Sequence, residues 1–534
     1  MRYLLRAASL LLFVAPLAAQ NFPPAPAGPP TFPTTDPVLK QIWAAGMEHS
    51  QTWPLAQALL DSVGPRLHGS PGIRSGHEWL AARYAQFGIT ARNEQYGTWK
   101  GWRRGITHVD LIRPRVRTLE AVALAMSAPT KGEVTGSVVV WPAVADSAAL
   151  KAWLATVKGK FVAISMPQPT CRPDDSWEKW ATPASVDSMK KQRTAATAAW
   201  VERFSKAGVP AGRGVQGRAV ASLLENAGAA GILTSLWSAG WGVDKIFNAY
   251  SEKIPTLDVM CEDYGLVTRL SERNQSPELR VRVDAEFLGD VPVVNTIATI
   301  PGEKADEFVL LSAHFDSWDG GSGATDNGTG TITMLEAMRI LKSVYPKPKR
   351  TILVGHWSGE EWGLLGSQSF AADHPEVVKG LQAQFNQDNG TGRIVNFGGA
   401  GLLTSGAHVA DWFSRLPDTF MRQVTLSFPG SPAGGGSDNA SFACYGAPAF
   451  GLGSISADYF NYTWHTNRDT FDKIVFDDLK ANATMTAMLA YLAAEDPVKM
   501  ERMRREPAAN PFTGRTTPWP ECAKPARSWA ENTR

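Results

Sequence analysis

The second half of the sequence predicts an α/β fold, in which the strands of a mainly parallel sheet alternate with helices. Three observations support this prediction: apolar runs of strand length recur there, helical patterns separate them, and polar residues follow the strand ends. The predicted strands are Phe308–Ala313, Thr351–Trp357, Leu381–Gln387 and Ala449–Gly453, and the predicted helices are Thr329–Lys342, Gly363–Ala372, Ala410–Leu416 and Phe476–Ala493.

The first 19 residues have the pattern of a secretory signal peptide. Two arginines precede the apolar run Leu10–Ala15, and small residues follow it at Ala18 and Ala19. This run is too short to span a membrane stably, so we expect a secreted or periplasmic protein with no integral membrane anchor. Residues 20–37 contain seven prolines and are predicted to form an extended linker.

The composition is that of a soluble globular protein, with 44% hydrophobic and 19% charged residues. Without residues 1–19 the chain has 51 basic and 51 acidic residues, and this balance does not favour nucleic acid as a partner. The sequence contains no C-x-x-C motif, so it supports neither a thiolate zinc site nor a thioredoxin-like motif. Three disulfide pairings remain open for Cys171, Cys261, Cys444 and Cys522.

The first half of the sequence lacks the signals of a catalytic site. Helical patterns occur at Val38–His49, Pro54–Asp61 and Ile73–Phe87, and from about Gly132 short strands alternate with helices. There is no histidine between His108 and His314, so this block is predicted to be a non-catalytic insertion. The predicted organisation is a catalytic domain at residues 38–131 and 291–497, an inserted domain at residues 132–290, and a surface-bound or loose tail at residues 498–534.

Histidines and carboxylates follow four successive strand ends in the second half. They are His314, Asp316, Asp326, Glu360, Glu361, Asp388 and His465. Ligands of α/β proteins bind where the carboxyl ends of such strands meet, so we expect these side chains to lie together. Adjacent carboxylates at the end of a buried strand are costly unless a cation accompanies them. Two histidines, three or four carboxylates and one spare acid suit two zinc ions that share a bridging carboxylate.

The remaining histidines are expected to have other roles. His68 and His77 have no carboxylate partners at ligand spacing, and His356 lies within a predicted strand, where a structural role is expected. His374 and His408 occur in polar segments and are expected at the surface.

Several motifs together resemble those of the secreted co-catalytic zinc exopeptidases, a family that includes bacterial leucyl aminopeptidases and plasma glutamate carboxypeptidase. The motifs are His-x-Asp-Ser, Gly-Ala-Thr-Asp-Asn-Gly-Thr-Gly, Gly-Glu-Glu-x-Gly-Leu-Leu-Gly-Ser, Gln-Asp-Asn and His-Thr-x-x-Asp-Thr. The resemblance covers about residues 291–497, and Gly64–Gly72 resembles the start of the family's catalytic domain. It implies a three-layer α/β sandwich with a mixed, mostly parallel central sheet. Residues 132–290 resemble the α+β protease-associated domain found in many members.

The resemblance implies two zinc ions per chain and a ligand set for each. His314 and Asp388 would hold one ion, and Glu361 and His465 would hold the other. Asp326 would bridge the two ions.

The resemblance also implies roles for residues beside the ligands. Asp316 would orient His314, and Glu360 would be the general base that takes a proton from water and passes it to the leaving amine. Asp438 matches a recurring Ser-Asp element of the family. Tyr459 and Tyr462 are the candidates for stabilising the oxyanion.

Four tryptophans, Trp318, Trp357, Trp362 and Trp464, flank these motifs. They are expected to pack around the site, and the alternative is that at least one of them lines an apolar specificity pocket.

The expected activity is removal of N-terminal residues from peptides, including dipeptides, by a metallo-exopeptidase. A carboxypeptidase or dipeptidase of the same family is the first alternative. A glutaminyl cyclase-like transferase with one zinc is the second, and the pair of adjacent glutamates favours the hydrolase. An inactive, receptor-like protein would be expected to lack ligands, and none is lacking here. The sequence does not determine the oligomeric state.

Overall fold

The structure of the protein is a computed structural model that describes residues 32, 34–210, 215–506, 516 and 518–532. The predicted signal peptide and most of the predicted linker lie outside these residues. Short π-helical turns at Ala44–Glu48 and Ala58–Val63 extend the first two helices. The elements before the insertion are α1 (Pro37–Trp43), α2 (Thr52–Gln57), α3 (Pro71–Gln86), β1 (Thr90–Arg113), β2 (Arg117–Thr118) and β3 (Ala121–Ala123).

The middle of the chain forms a smaller α/β unit. Its strands β4, β5, β6 and β9 are parallel neighbours in that order, and β3 pairs antiparallel with β9. The elements are β4 (Val134–Val140), α4 (Ser147–Leu154), β5 (Phe161–Ala163), α5 (Asp174–Trp180), α6 (Pro183–Lys206), α7 (Val215–Asn226), β6 (Gly231–Thr234), β7 (Trp237–Gly240), β8 (Val243–Asp244), β9 (Thr256–Val259), α8 (Cys261–Glu272) and β10 (Glu278–Ile300).

The second half of the chain alternates strand and helix as its sequence predicts. The elements are β11 (Lys304–His314), α9 (Thr329–Val344), β12 (Arg350–Trp357), α10 (Leu365–Asp373), α11 (Pro375–Gly380), β13 (Leu381–Asn386), β14 (Ile394–Gly398), α12 (Ser405–Ser414), α13 (Asp418–Met421), β15 (Thr425–Ser427), α14 (Ala440–Ala443), β16 (Ala449–Ser454), α15 (Phe476–Glu495) and α16 (Trp529–Asn532).

The central sheet is mixed and mostly parallel at its centre, which confirms the predicted fold class. Its order is β15-β14-β16-β13-β11-β12-β10, with β1 paired to β10. Strand β11 is parallel to both β12 and β13, and β13 is parallel to β16. The carboxyl ends of β11, β12 and β13 therefore lie side by side at one edge, where ligands of such sheets bind.

Helices cover both faces of this sheet. The larger core packs α9 and α15 against one face, with Leu335 and Leu489 among its fully buried side chains. A second core packs α10, α11 and α14 against the other face, around Trp357 and Phe442. Because both faces are covered, the central strands are apolar along their whole length, which is why their sequences lack alternation.

Two long strands connect the catalytic half to the middle unit. β1 pairs antiparallel with β10 from Thr90–Thr299 to Arg113–Glu278. Residues Thr296–Ile300, at the carboxyl end of β10, pair with β12, and residues Glu278–Val281, at its amino end, pair with β4. One strand therefore belongs to both sheets. The sequence alternates like a strand at Arg280–Ala285 and predicts another strand at Asn295–Ile300, but it does not predict that both belong to one strand, β10, nor that β1 exists. The division into catalytic and inserted domains stays a prediction.

The structure shows how the four cysteines pair and where the side chains of His356 and His408 lie. The disulfides are Cys171–Cys261 and Cys444–Cys522. His356 is fully buried and bonded to Tyr84, as expected for a structural residue. The surface prediction for His408 is wrong, because its side chain is 10% exposed and its Nδ1 lies 2.8 Å from an Asp496 carboxylate oxygen. Among the described helices, none has both the length and the apolar character needed to cross a membrane.

One close helix contact tests the packing of the larger core. Gly46 faces α15, and a Cβ atom there would collide with the hydroxyl group of Thr484. We expect Gly46→Ala to lower the free energy of unfolding by about 1–3 kcal/mol, because the crowded core must shift. The measurement is the midpoint of thermal unfolding. Gly434→Ala is the matched control, since no atom lies within 4 Å of a Cβ at that position, and an equal loss in both variants would contradict the packing explanation.

Candidate functional site

The predicted site residues converge at the carboxyl ends of the three central strands. His314 is the last residue of β11, Glu360 and Glu361 follow β12, and Asp388 follows β13. His314 is 1% exposed, and the side chains of Glu361 and Asp388 are 5% and 9% exposed. The topology therefore brings together side chains that are up to 151 positions apart in the chain, from His314 to His465.

The convergent side chains form two groups of potential metal ligands within the described residues, and both groups contain Asp326. In the first group, His314 Nε2 lies 3.1 Å from Asp388 Oδ1 and 3.4 Å from Asp326 Oδ1. In the second, His465 Nε2 lies 2.8 Å from Glu361 Oε2 and 3.2 Å from Asp326 Oδ2. The two oxygens of one carboxylate thus face two different histidines, as a bridging ligand requires.

Asp316 contacts its neighbours differently from the expected carboxylate–histidine pair. His314 Nδ1 is 3.0 Å from the backbone oxygen of Asp316 and 3.8 Å from its carboxylate. The carboxylate instead accepts the backbone N–H groups of Glu360 and Glu361, at 3.1 and 3.3 Å. Asp316 therefore orients His314 through its main chain and fixes the loop of the two glutamates through its side chain.

The electrostatics of the site indicate a shortage of positive charge. Burial raises the pKa of Glu361 to about 7, although the nearby His465 opposes this effect. Burial alone would lower the pKa of His465, but the Glu361 and Asp326 carboxylates together outweigh burial and raise that pKa to about 9. Burial also raises the pKa of Asp316 to about 6, against the lowering effect of His314. Carboxylates buried at this density need a cation or protons nearby.

The donor set fits divalent zinc. Imidazole nitrogens and carboxylate oxygens are its usual protein ligands besides thiolates. Glu361 Oε1 is buried and accepts no hydrogen bond from any described residue, so it is available as a ligand. Neither group includes a thiolate, and all four cysteines are in disulfides.

The glycine-rich loop that carries Asp326 is held by two residues whose roles the sequence did not reveal. Arg66 is fully buried and donates hydrogen bonds to the backbone oxygens of Phe315, Ser322 and Gly323, at 2.8 to 2.9 Å. Asp469 accepts the backbone N–H groups of Thr325 and Asp326, at 2.8 and 3.0 Å. The only indication in the sequence was that Arg66 lies within Gly64–Gly72 and Asp469 lies within the His-Thr-x-x-Asp-Thr motif.

The middle unit contacts the loop that carries His465. The backbone N–H of Ile246 donates to the backbone oxygen of His465 at 2.7 Å. The Lys245 ammonium donates to the backbone oxygens of Phe460 and Trp464, at 2.6 and 2.5 Å, and lies 4.8 Å from the Trp464 ring centroid. His465 has a positive φ of 52°, a conformation that side chains rarely adopt without support from neighbours. These contacts supply that support from outside the catalytic half.

Aromatic side chains border two of the candidate ligands, Glu361 and His465. Trp318 Nε1 donates to Glu361 Oε2 at 2.8 Å, and the Trp464 ring stacks on the His465 ring at 3.8 Å between centroids. Trp357 is fully buried in the core, and Trp362 packs against Trp318 at 5.3 Å. Trp318, Trp362 and Trp464 therefore pack around the site as expected, whereas Trp357 packs in the core.

The two candidate tyrosines occupy different surroundings. Tyr459 is 6% exposed, and burial together with the Asp326 and Asp388 carboxylates raises its pKa well above the usual value. The Tyr462 ring instead packs against Gly240 of the middle unit. Asp438 is fully buried nearby, and burial raises its pKa to about 7.

Comparison with known protein families gives one match in the catalytic half. The sequence model described as "Peptidase family M28" matches residues 295–490. Carboxypeptidase Q from Mus musculus is 25% identical over 452 residues, covering 84% of this chain and 87% of the relative. Leucine aminopeptidase 1 from Arthroderma otae is 35% identical over 206 residues, covering 35% of this chain and 55% of the relative.

Solved structures share the fold. A peptidase M28 precursor from Shewanella amazonensis SB2B superposes with a TM-score of 0.63 and 24% identity, covering 88% of this chain and 98% of that chain. BSAP, a zinc aminopeptidase from Bacillus subtilis, superposes with a TM-score of 0.52 and 19% identity, covering 85% of this chain and 96% of that chain.

The contacts of Lys245 predict a loss of metal affinity when its ammonium is removed. We expect Lys245→Met to weaken metal binding at the Asp326–Glu361–His465 group by about 10- to 100-fold, because partners that orient a ligand have effects of that size. The measurement is metal content by mass spectrometry after dialysis against graded concentrations of a chelator.

Lys253→Met is the matched control for this variant. Lys253 belongs to the same unit, is 79% exposed and pairs with Glu225 away from the site. Unchanged metal affinity in Lys245→Met, with the protein folded, would show that the Lys245 ammonium group does not position His465.

Proposed function

We propose a reaction for this protein from the premise that residues 295–490 belong to peptidase family M28 and that the protein is a zinc metallo-exopeptidase. It binds two zinc ions and hydrolyses the peptide bond of an N-terminal residue. The single observation that carries the proposal is the pair of ligand groups that share Asp326. His314 and Asp388 would hold one ion, Glu361 and His465 would hold the other, and Asp326 would be shared between them.

Bound zinc would supply a water of lowered pKa and would polarise the scissile carbonyl group. Glu360 is the side chain that moves the proton in this proposal. It follows β12 directly, and the Asp316 carboxylate fixes its backbone N–H. A glutamate beside the metal ligands can accept the proton of the water and then deliver it to the leaving amine.

Tyr459 is the better supported of the two candidates for stabilising the oxyanion. It is buried beside Asp326 and Asp388, whereas Tyr462 packs against the middle unit. Its high pKa keeps the hydroxyl group protonated, so that it can donate a hydrogen bond to negative charge that develops on the substrate oxygen.

The two relatives support hydrolysis at different ends of the peptide. The match to leucine aminopeptidase covers 35% of this chain with 35% identity, which favours release of the N-terminal residue. The match to carboxypeptidase Q spans 84% of the chain, so a carboxypeptidase or dipeptidase is the second candidate. The aminopeptidase is preferred because its identity over the matched residues is higher, 35% against 25%.

We also propose that the protein acts outside the cytoplasm, as a secreted or periplasmic enzyme. The charge and hydropathy pattern of residues 1–19 supports export. The two disulfides support it too, since disulfides persist in oxidising compartments.

The role of Glu360 predicts a variant that binds metal without turnover. We expect Glu360→Gln to lower kcat by about 10²- to 10⁴-fold, because an amide cannot accept the proton, while the zinc content stays unchanged. The measurement combines kcat with metal content on the same sample. Glu303→Gln, an exposed glutamate outside the site, is the control. Retention of more than about a few per cent of the activity would exclude Glu360 as the base.

The direction of hydrolysis can be read from one hexapeptide, prepared with a free or an acetylated N-terminus. We expect mass spectrometry to show stepwise loss of residues from the free N-terminus only, and a zinc chelator to stop it. Loss from the C-terminus of both peptides would instead establish the carboxypeptidase. Cleavage that the chelator leaves unchanged would contradict the zinc-dependent reaction.

A further inference from the structure

A short segment connects the central sheet to the candidate general base. Only Ser358 and Gly359 separate Trp357, the last residue of β12, from Glu360. Gly359 has a positive φ of 77°, which allows the chain to turn sharply after the strand. The residues Ser358–Glu360 are named the base segment below. The direction of the Glu360 side chain depends on how the first two residues of this segment are fixed.

Three atoms of Ser358 are bonded to other parts of the chain. Its backbone N–H donates to Asn295 Oδ1 at 3.1 Å, and its backbone oxygen accepts the Tyr96 hydroxyl group at 2.7 Å. Its own hydroxyl oxygen lies 2.9 Å from His68 Nδ1. Ser358 is 1% exposed, Tyr96 is 6% exposed and His68 is fully buried, so these bonds are shielded from water. Asn295 belongs to β10, which neighbours β12, whereas Tyr96 comes from β1 and His68 from the loop before α3.

Tyr96 and His68 also pack against Gly359. A Cβ atom at position 359 would lie 3.0 Å from the Tyr96 hydroxyl oxygen and 3.1 Å from His68 Cε1. The two side chains thus contact both residues that precede Glu360. Burial lowers the pKa of His68 to about 3, so its ring is neutral and adds no charge beside the base segment. These contacts therefore act on the geometry of the segment.

Tyr96 is itself held in place by the C-terminal part of the chain. The backbone N–H of Thr98 donates to the backbone oxygen of Arg527 at 2.9 Å, and Arg527 Nη1 donates to the backbone oxygen of Tyr96 at 3.1 Å. The Arg527 guanidinium also pairs with Asp373, the last residue of α10, at 2.7 Å. A side chain that positions another one must itself be fixed, and these bonds fix Tyr96.

We propose that Tyr96 and His68 are positioning residues for Glu360. They hold Ser358 and Gly359 and so set the direction in which the Glu360 carboxylate points. Neither residue belongs to a group of candidate metal ligands. That Glu360 is the general base rests on the proposed function. A base must lie within hydrogen-bond reach of the proton that it accepts, and a displacement of about 1 Å can lower the rate about 10²-fold.

The test removes one bond at a time. Tyr96→Phe deletes the hydroxyl group that donates to Ser358, and Ser358→Ala deletes the hydroxyl group that faces His68. Each variant loses a single oxygen atom, so the fold is retained. We expect each to lower kcat at least about tenfold while KM and zinc content stay unchanged, because only the step that needs the base is affected.

Tyr264→Phe is the matched control. The Tyr264 hydroxyl group also donates to a backbone oxygen at 2.7 Å, that of Ser165 in the middle unit, and Tyr264 is 1% exposed. A buried tyrosine of purely structural importance should lose stability on this substitution and keep its kcat. An equal loss of kcat in Tyr264→Phe and Tyr96→Phe would overturn the positioning role.

A double substitution shows whether Tyr96 acts through Glu360. Once Glu360→Gln has removed the base, adding Tyr96→Phe should not lower the residual kcat further, because residues that act as a unit have non-additive effects. Losses that multiply in the double variant would mean that Tyr96 affects the rate by another route.

Hydrogen exchange gives a measurement that does not depend on activity. We expect the peptide that covers Ser358–Trp362 to exchange its amide hydrogens about fivefold faster in Tyr96→Phe than in the unsubstituted protein, because one hydrogen bond that opposes local opening is lost. Tyr264→Phe should leave the exchange of this peptide unchanged. Mass spectrometry of the digested protein measures both.

The outcomes separate the positioning role from the proposed function. Unchanged kcat and unchanged exchange in Tyr96→Phe, with activity lost in Glu360→Gln, would overturn the positioning role and leave Glu360 as the base. Full activity in Glu360→Gln would overturn the proposed mechanism, whereas faster exchange in Tyr96→Phe would still show that Tyr96 holds the base segment.

Discussion

The concentration of buried carboxylates at the ends of three parallel strands is the constraint on which the rest of the structure depends. Asp326, Glu361 and Asp388 lie within a few ångströms of two histidines, where each unpaired negative charge is costly. Removal from water raises the pKa of Glu361 to about 7, although His465 is adjacent. Such an arrangement is stable with divalent cations between the oxygens, so the fold's burial of these acids is itself the strongest argument for a metal centre.

The surroundings of the site show how that arrangement is held in place. Its loops are anchored by charged side chains that bond to backbone groups. Asp469 and Asp316 each accept two backbone N–H groups beside a candidate ligand, and Arg66 donates to four backbone oxygens. These bonds fix the direction of the candidate ligands. Ligands held in this way need little rearrangement when an ion binds, which favours affinity and rate alike.

The sequence was sufficient for the strands β11, β12, β13 and β16 and for the convergence of the site, but not for the contacts between distant segments. The apolar run before His314 is unambiguous, because a strand covered on both faces must be apolar throughout. Strand β1 was not predicted, since its residues are largely polar and it is defined by pairing with β10, almost two hundred positions away. The role of Lys245 had no local signal either. Its partners are backbone oxygens, which every residue possesses, so nothing in the sequence marks them.

The contact between the middle unit and His465 changes how that unit should be understood. A domain that merely packed beside the site would contact it through side chains that other residues could replace. Here a backbone N–H of Ile246 and the ammonium group of Lys245 bond to backbone oxygens around a candidate ligand that has a positive φ. Strand β10 enters both sheets, so the unit cannot shift freely relative to the strand ends. Both features make the position of His465, a candidate metal ligand, depend on the middle unit. The second half of the chain expressed alone would therefore lack one support of this residue.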